Sequence, residues 1–136
     1  MTALSAQYEC ERQDGEMIDV PVLADAIIYK GALLVDKGTG FASAGVATGS
    51  YVFLGVAAEG ADATGLNDGD KSVRVYKNGT FKYTKPAAVQ SDLTVIVYLR
   101  DDQTVDTTVT NSIAVGTVVK YVDSTHVKVR IDSATK

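Results

Sequence analysis

From Met17 onward the chain alternates short runs rich in Val, Ile, Thr and Tyr with breaks built from Gly, Asp and Asn. The runs are Ile18 to Leu23, Ile27 to Val35, Tyr51 to Val56, Val73 to Tyr76, Phe81 to Thr84, Thr94 to Leu99, Ile113 to Val122 and Val127 to Ile131. Branched and aromatic side chains pack well on a pleated surface, so each run predicts a strand. Nowhere do apolar residues recur at helical spacing through three turns. The segment from Ala57 to Ala63 holds helix formers, but Gly60 and Gly65 cut it short. The pattern predicts an all-β domain, a small sandwich or barrel, over residues 17–136. Residues 1–16 are polar and turn-rich, with Asp14-Gly15 as a turn signal, and predict an extended N-terminal arm or a frayed end.

Local features sharpen some of these strands. Pro21 removes a ladder donor, which places its run at a sheet edge or makes it very short. Asn78-Gly79 between two apolar runs predicts a hairpin. A three-residue loop with Gly79 at positive φ would pair Val75 with Phe81 and Val73 with Tyr83, leaving Arg74 opposite Lys82 on the wet side. A second hairpin turns at Asp123-Ser124-Thr125, after which Val127, Val129 and Ile131 alternate with His126, Lys128 and Arg130 as in a half-buried strand. The Thr94 to Leu99 run is apolar on both faces and predicts a central strand, ended by Arg100-Asp101-Asp102. No period of 20 to 50 residues repeats.

Composition narrows the function classes. The 136 residues carry 13 basic and 17 acidic side chains, for a formal charge of −4, which disfavours an extensive phosphate-binding surface. With 46% hydrophobic residues the chain is poorly suited to disorder. No run reaches the length of a membrane-spanning helix. The first residues lack a basic start and a long apolar run, so they predict no signal peptide and a chain made in the cytoplasm. The single Cys rules out an internal disulfide, and the single His rules out a multi-histidine metal site.

Individual motifs yield little chemistry. Gly65-Leu-Asn-Asp-Gly-Asp70-Lys71-Ser72 resembles a phosphate loop, but Asp70 stands where Gly is needed and a strand, not a helix, follows. The same stretch fails as a calcium loop, because Leu66 and Thr64 fall at ligand positions and no bidentate Glu follows. His126 reads as a surface histidine beside a turn, with neither an orienting partner nor a nucleophile identifiable nearby. Cys10 lies between Glu9 and Glu11, which would raise its pKa and disfavour a reactive thiol. Asp101, Asp102 and Asp106 read as a strand-ending turn rather than a carboxylate pair for glycoside hydrolysis. Lys120, Lys128 and Arg130, with Tyr121 near, gather on the last hairpin and read as a solvated face rather than a nucleic-acid site. No catalytic residue, cofactor site or metal site is expected.

Several stretches together carry a resemblance. They are Val20-Pro-Val with Ile28-Tyr-Lys-Gly-Ala-Leu-Leu-Val35, Phe53-Leu-Gly-Val-Ala-Ala-Glu-Gly60, Asp68-Gly-Asp-Lys-Ser-Val-Arg-Val75 with Gly79 and Phe81, Asp101-Asp-Gln-Thr-Val105, Val115-Gly-Thr-Val-Val119 and Val127-Lys-Val-Arg-Ile131. In this order, over residues 18 to 132, the chain resembles the small capsid cement, or decoration, proteins of tailed bacteriophages. The resemblance implies a β-sandwich or barrel bound to the outer surface of the virion capsid, partnered by the major capsid protein and acting without catalysis. It also implies a homo-oligomer, for which a trimer suits the threefold positions of a capsid lattice. Neither nucleic acid nor membrane is expected as a partner. Leu4, Tyr8 and Arg12 in the arm are the expected contacts to capsid or sister subunit. The competing expectations are a tail-tube, connector or tip protein, and a β module that binds carbohydrate or peptide.

Overall fold

Strands account for nearly all the regular structure of this chain, seen in a computed structural model that describes residues 3, 5–7, 16–111 and 113–132. In chain order they are β1 (Met17–Pro21), β2 (Ile27–Ile28), β3 (Leu33–Asp36), β4 (Ala42–Ala44), β5 (Val52–Ala57), β6 (Ala61–Asp62), β7 (Ser72–Tyr76), β8 (Asn78–Thr84), β9 (Ile96–Leu99), β10 (Val105–Asp106), β11 (Ala114–Asp123) and β12 (His126–Asp132). One 3-10 turn among the described residues, Gln90–Asp92, precedes β9. The all-β expectation holds.

The first sheet has the order β1-β7-β5-β3-β4, and a parallel bridge between Val22 and Ala42 draws its two ends together into a half-barrel. The second sheet, β10-β9-β11-β12-β8, packs on the outside of that half-barrel, and a β2-β6 ribbon lies against its inside. Two cores result. One joins Leu33, Val35, Phe53 and Val56 of the first sheet to Leu99, Val118, Val127, Val129 and Ile131 of the second. The other fills the half-barrel with Val20, Leu34, Val73, Val75 and Ile28. Successive residues of a strand point to opposite faces, so Leu33 and Val35 serve one core while Leu34 serves the other. All three are 0% exposed.

The strand that is apolar on both faces is therefore β3, not the Thr94 to Leu99 run. That run begins only at Ile96, sits next to the two-residue edge strand β10, and leaves Ile96 52% exposed. The predicted strand from Ile27 to Val35 splits in two, because Gly31 adopts a φ of 89° and the chain turns through Ala32 N–H donating to Tyr29 O. Pro21 does end an edge strand. The short strands β4, β6 and β10, of two or three residues, are too brief to leave a pattern.

The hairpin expected at Asn78-Gly79 does not form. β7 pairs with β1 and β5, whereas β8 pairs with β12 in the other sheet. The reason is the double core. Val73 and Val75 fill the half-barrel opposite Val20 and Ile18, while Tyr83 belongs to the inter-sheet core. Gly79 has the expected positive φ, 126°, but uses it where the chain leaves one sheet for the other. Lys77 sits at this crossing with its ammonium hydrogen-bonded to Leu54 O, and desolvation lowers its pKa. The final hairpin forms as expected, with Asp123 opposite His126 and Val127, Val129 and Ile131 all buried.

Two glycines permit close strand approach. A Cβ at Gly55 would lie 2.2 Å from Tyr76 O, and one at Gly116 would lie 2.0 Å from Arg130 O. Each marks a site where another backbone presses on the strand.

Removing side-chain volume from β3 tests the two-core arrangement. Leu34→Ala should cost about 2–5 kcal/mol in chemical denaturation. Val109→Ala, at a position 69% exposed, should stay within about 0.5 kcal/mol of the parent chain.

Candidate interaction surface on the second sheet

The second sheet buries one face and presents the other to solvent. Along β12 the buried residues Val127, Val129 and Ile131 alternate with His126, Lys128 and Arg130. Cross-strand register then lines up three lysines: Lys128 stands opposite Lys82 of β8 on one side and Lys120 of β11 on the other. Arg130 lies between Thr80 and Thr117. Like charges directly opposite one another destabilise a sheet, so sheet stability does not account for this row. Among the described residues no ion pair joins any of the four cations.

Apolar residues border the row. Between Val118 and Lys120 the register with β12 slips by one residue, and the extra residue, Val119, is left 42% exposed. Ile96 on β9 pairs with Thr117, and Leu93 is exposed just before it. The segment from Lys85 to Val95 holds this border in place. Lys85 Nζ lies 2.9 Å from Asp92 Oδ2, with side chains only 7% and 15% exposed. Asp92 also accepts the Val89 N–H at 3.0 Å, half of a capping box at the 3-10 turn. That hydrogen bond, joined by Lys85, holds the Asp92 carboxyl below its ordinary pKa against the opposing effect of desolvation. Thr94 follows at a φ of 74°, a strained conformation for a β-branched residue. It is kept there by Thr94 N–H donating to Val118 O at 2.8 Å and Val118 N–H donating to Val95 O at 3.0 Å.

A groove of about 570 Å³ opens at the far end of β8. Its walls include Tyr29, Lys30, Lys82, Thr84, Gln103 and His126. The Tyr83 hydroxyl donates to Gly31 O at 3.0 Å across its floor, and burial raises the pKa of that phenol. His126 Nδ1 lies 3.0 Å from Asp123 Oδ1 and 2.9 Å from Thr125 Oγ1, and that hydroxyl is itself 3.0 Å from Asp123. Hydrogen bonds from the Thr125 backbone, His126 and the Thr125 hydroxyl pull the Asp123 carboxyl down to about 2. Both partners thus meet the same ring nitrogen, whereas a hydrolytic triad needs an acid on one nitrogen and a nucleophile on the other. The arrangement closes the turn, and it supplies the orienting partner for His126 that the sequence did not reveal.

The other residues singled out from the sequence fall as follows. Leu4, Tyr8, Cys10 and Arg12 lie outside the described residues. Lys120, Lys128 and Arg130 do come together, but Tyr121 packs toward the core instead of joining them. Lys82 was missed because it belongs to a different run, and only its alternation with Phe81 and Tyr83 marked it as outward. Asp68 accepts the Ala24 N–H and Asp70 accepts the Asn67 N–H, so the Gly65 to Ser72 stretch is a braced turn leading into strand β7. Asp101 accepts the Gln103 N–H at 2.8 Å. Asp106 lies 3.2 Å from Arg100 Nε, at ion-pair distance but without the alignment of a hydrogen bond. No group of three potential metal ligands occurs among the described residues, and no helix there is long and apolar enough to cross a membrane.

Two measurements test how the border is held. Asp92→Ala leaves the Lys85 ammonium buried and unpaired and should cost about 3–5 kcal/mol. Because the folded Asp92 pKa is depressed, its contribution is complete above the unfolded value of about 3.9 and is lost as pH falls through the folded value. Asp92→Asn should therefore flatten the decline of Tm on acidification below about pH 4. Thr94→Gly relieves the backbone strain and should raise stability by about 1 kcal/mol, read from the denaturation midpoint.

Comparison with known proteins adds no relative: no family model matches the chain, and no match is found among curated proteins or solved structures.

Proposed function

We propose that this chain is a structural protein of a tailed-phage virion that binds the outside of the capsid and stabilises the expanded head by bridging neighbouring capsid subunits. The observation that carries the reading is the outer face of the second sheet. There Lys82, Lys120, Lys128 and Arg130 gather without acidic partners among the described residues and adjoin exposed Leu93, Ile96 and Val119. Such a face fits an acidic protein surface with an apolar centre. The apolar border favours protein over nucleic acid, whose phosphates ask for charge alone. The resemblance to capsid cement proteins names the partner as the major capsid protein.

The mechanism is mechanical. Packaged DNA pushes the shell outward, and a protein seated across two capsid subunits adds contacts that further expansion must break. A stable contact buries about 1,200–2,000 Å² in total. Repetition over a shell lets a modest contact suffice. In this reading three copies assemble at threefold positions of the lattice. The arm of residues 1–16, through Leu4, Tyr8 and Arg12, extends the contact to capsid or sister subunit. The protein is made in the host cytoplasm and ends on the outer capsid surface.

Mixing the purified chain with expanded empty capsids and imaging the particles tests this reading. Ordered extra density at symmetry axes is expected. The double substitution Lys120→Glu with Lys128→Glu, at exposed or half-buried positions, should keep the fold and weaken binding at least tenfold. Bare capsids with the parent chain, or equal binding by the double variant, would overturn the proposal.

A further inference from the structure

The groove at the far end of β8 is built from segments that are tied to one another. The turn bearing Tyr29 and Lys30 is closed by Ala32 N–H donating to Tyr29 O, and Gly31 N–H donates to Ala57 O at 2.8 Å. Gly31 holds the positive φ of this turn, and its carbonyl accepts the Tyr83 hydroxyl of β8. A second wall is fixed by Leu33 N–H donating to Asp102 O and by Thr84 N–H donating to Gln103 O. The Gln103 N–H is in turn held on Asp101 Oδ1. His126 stands opposite Thr84 in the β8–β12 register, with Nδ1 engaged by Asp123 and Thr125. Its Nε2 is the nitrogen that a groove ligand can meet. A volume of about 570 Å³ behind such pre-set walls falls among small-molecule sites, which span about 300–1,000 Å³.

The groups on the walls select the ligand. Lys30, Lys82 and Asp102 line one groove, yet among the described residues none of them forms an ion pair. Opposite charges that share a wall without neutralising each other offer separate points for an acceptor and a donor. Lys82 also faces Lys128 across the ladder, so an anion beside it relieves a like-charge contact. Tyr29 is 70% exposed on a turn whose backbone is fixed, so its side chain contributes little to the core. The face of an aromatic ring carries partial negative charge and receives C–H groups. A ligand that answers all of these at once needs an anionic oxygen pair, hydroxyl groups and a C–H face. A carboxylated sugar carries the three on one ring. Free phosphate would leave Asp102 facing an anion, and a neutral sugar would leave both lysines unanswered.

We propose that this groove binds a hexuronate, the carboxylated sugar found free or as a unit of an acidic polysaccharide. Lys30 and Lys82 hold the carboxylate through charge-assisted hydrogen bonds. Asp102 accepts from ring hydroxyls, Gln103 and His126 Nε2 bind further oxygens, and the Tyr29 ring covers the C–H face. Only Lys82 is shared with the basic row, so the groove and the outer face are separable. This inference does not rest on the capsid reading, because every group it uses belongs to the isolated chain.

The test titrates galacturonic acid, trigalacturonate, glucose and triglutamate into the full-length, isotopically labelled chain without capsids, with amide shifts read by NMR. Both uronates should give saturable shifts at Gly31, Lys82, Thr84 and Gln103, with glucose at least tenfold weaker. Tighter binding of the trimer than of the monomer names a polymer as the source, equal binding names the free sugar acid, and each upholds the site. Tyr29→Ala and Lys30→Ala, both at exposed positions, should weaken uronate binding at least fivefold with Tm unchanged. Tyr29→Phe and Lys30→Arg should retain it. Absence of saturable shifts with either uronate, or shifts confined to Lys120 and Arg130 on the outer face, would overturn the proposal. Glucose or triglutamate binding as tightly as trigalacturonate, or parent-like binding by both alanine variants, would overturn it equally.

Discussion

The burial of β3 on both faces is the constraint on which the remaining architecture depends. A strand reading Leu33-Leu34-Val35 has no polar face to give to water, so it is stable only between two apolar layers. The half-barrel closes over Leu34, and the second sheet covers Leu33 and Val35. Once both layers are required, the chain must pass between them, and it does so at Lys77, where β7 of the first sheet leads into β8 of the second. At this passage Gly79 takes a positive φ and the half-buried Lys77 ammonium is hydrogen-bonded to Leu54 O.

This arrangement also explains why the second sheet has one bare face. The first sheet is enclosed between the second sheet and the β2-β6 ribbon, whereas among the described residues the second sheet is covered on its inner side alone. Its outer side must be polar, and the chain makes it basic. A mixed-sign surface would have served solubility as well, without the cross-strand repulsion of Lys82, Lys128 and Lys120. The repulsion is tolerable in water and becomes favourable against an acidic surface, so the row is better understood as recognition than as stability.

How much of this was legible in the sequence depended on whether one core or two stood behind a pattern. The alternation of Val127, Val129 and Ile131 with His126, Lys128 and Arg130 has one apolar face, and it was read correctly. Pro21 was equally plain, because the lack of an N–H constrains it whatever surrounds it. The Asn78-Gly79 hairpin failed for a different reason. Val73, Val75, Phe81 and Tyr83 all look inward in sequence, but nothing local says that they look into different cores. Thr94 to Leu99 looked doubly apolar and β3 was hidden in a longer run, because apolar character does not distinguish burial from an exposed contact surface. The basic row was only partly visible. Lys120 and Lys128 share a hairpin, while Lys82 reaches them through a pairing across about 45 residues of sequence.

The placement of the opposite charge completes the physical picture. Aspartates are consumed in holding turns: Asp36 accepts the N–H groups of Gly38, Thr39 and Gly40, Asp25 that of Gly65, Asp62 that of Thr64, and Asp106 that of Thr108. The Asp36 and Asp62 carboxylates are held below the ordinary pKa by those hydrogen bonds, so they stay charged where the turns need them. The lysines of the second sheet have no such duty. These aspartates thus sit at loop ends, while Lys82, Lys120, Lys128 and Arg130 sit on an open strand face. Such a particle meets a charged partner in a preferred orientation, because complementary fields steer encounter as well as fix register.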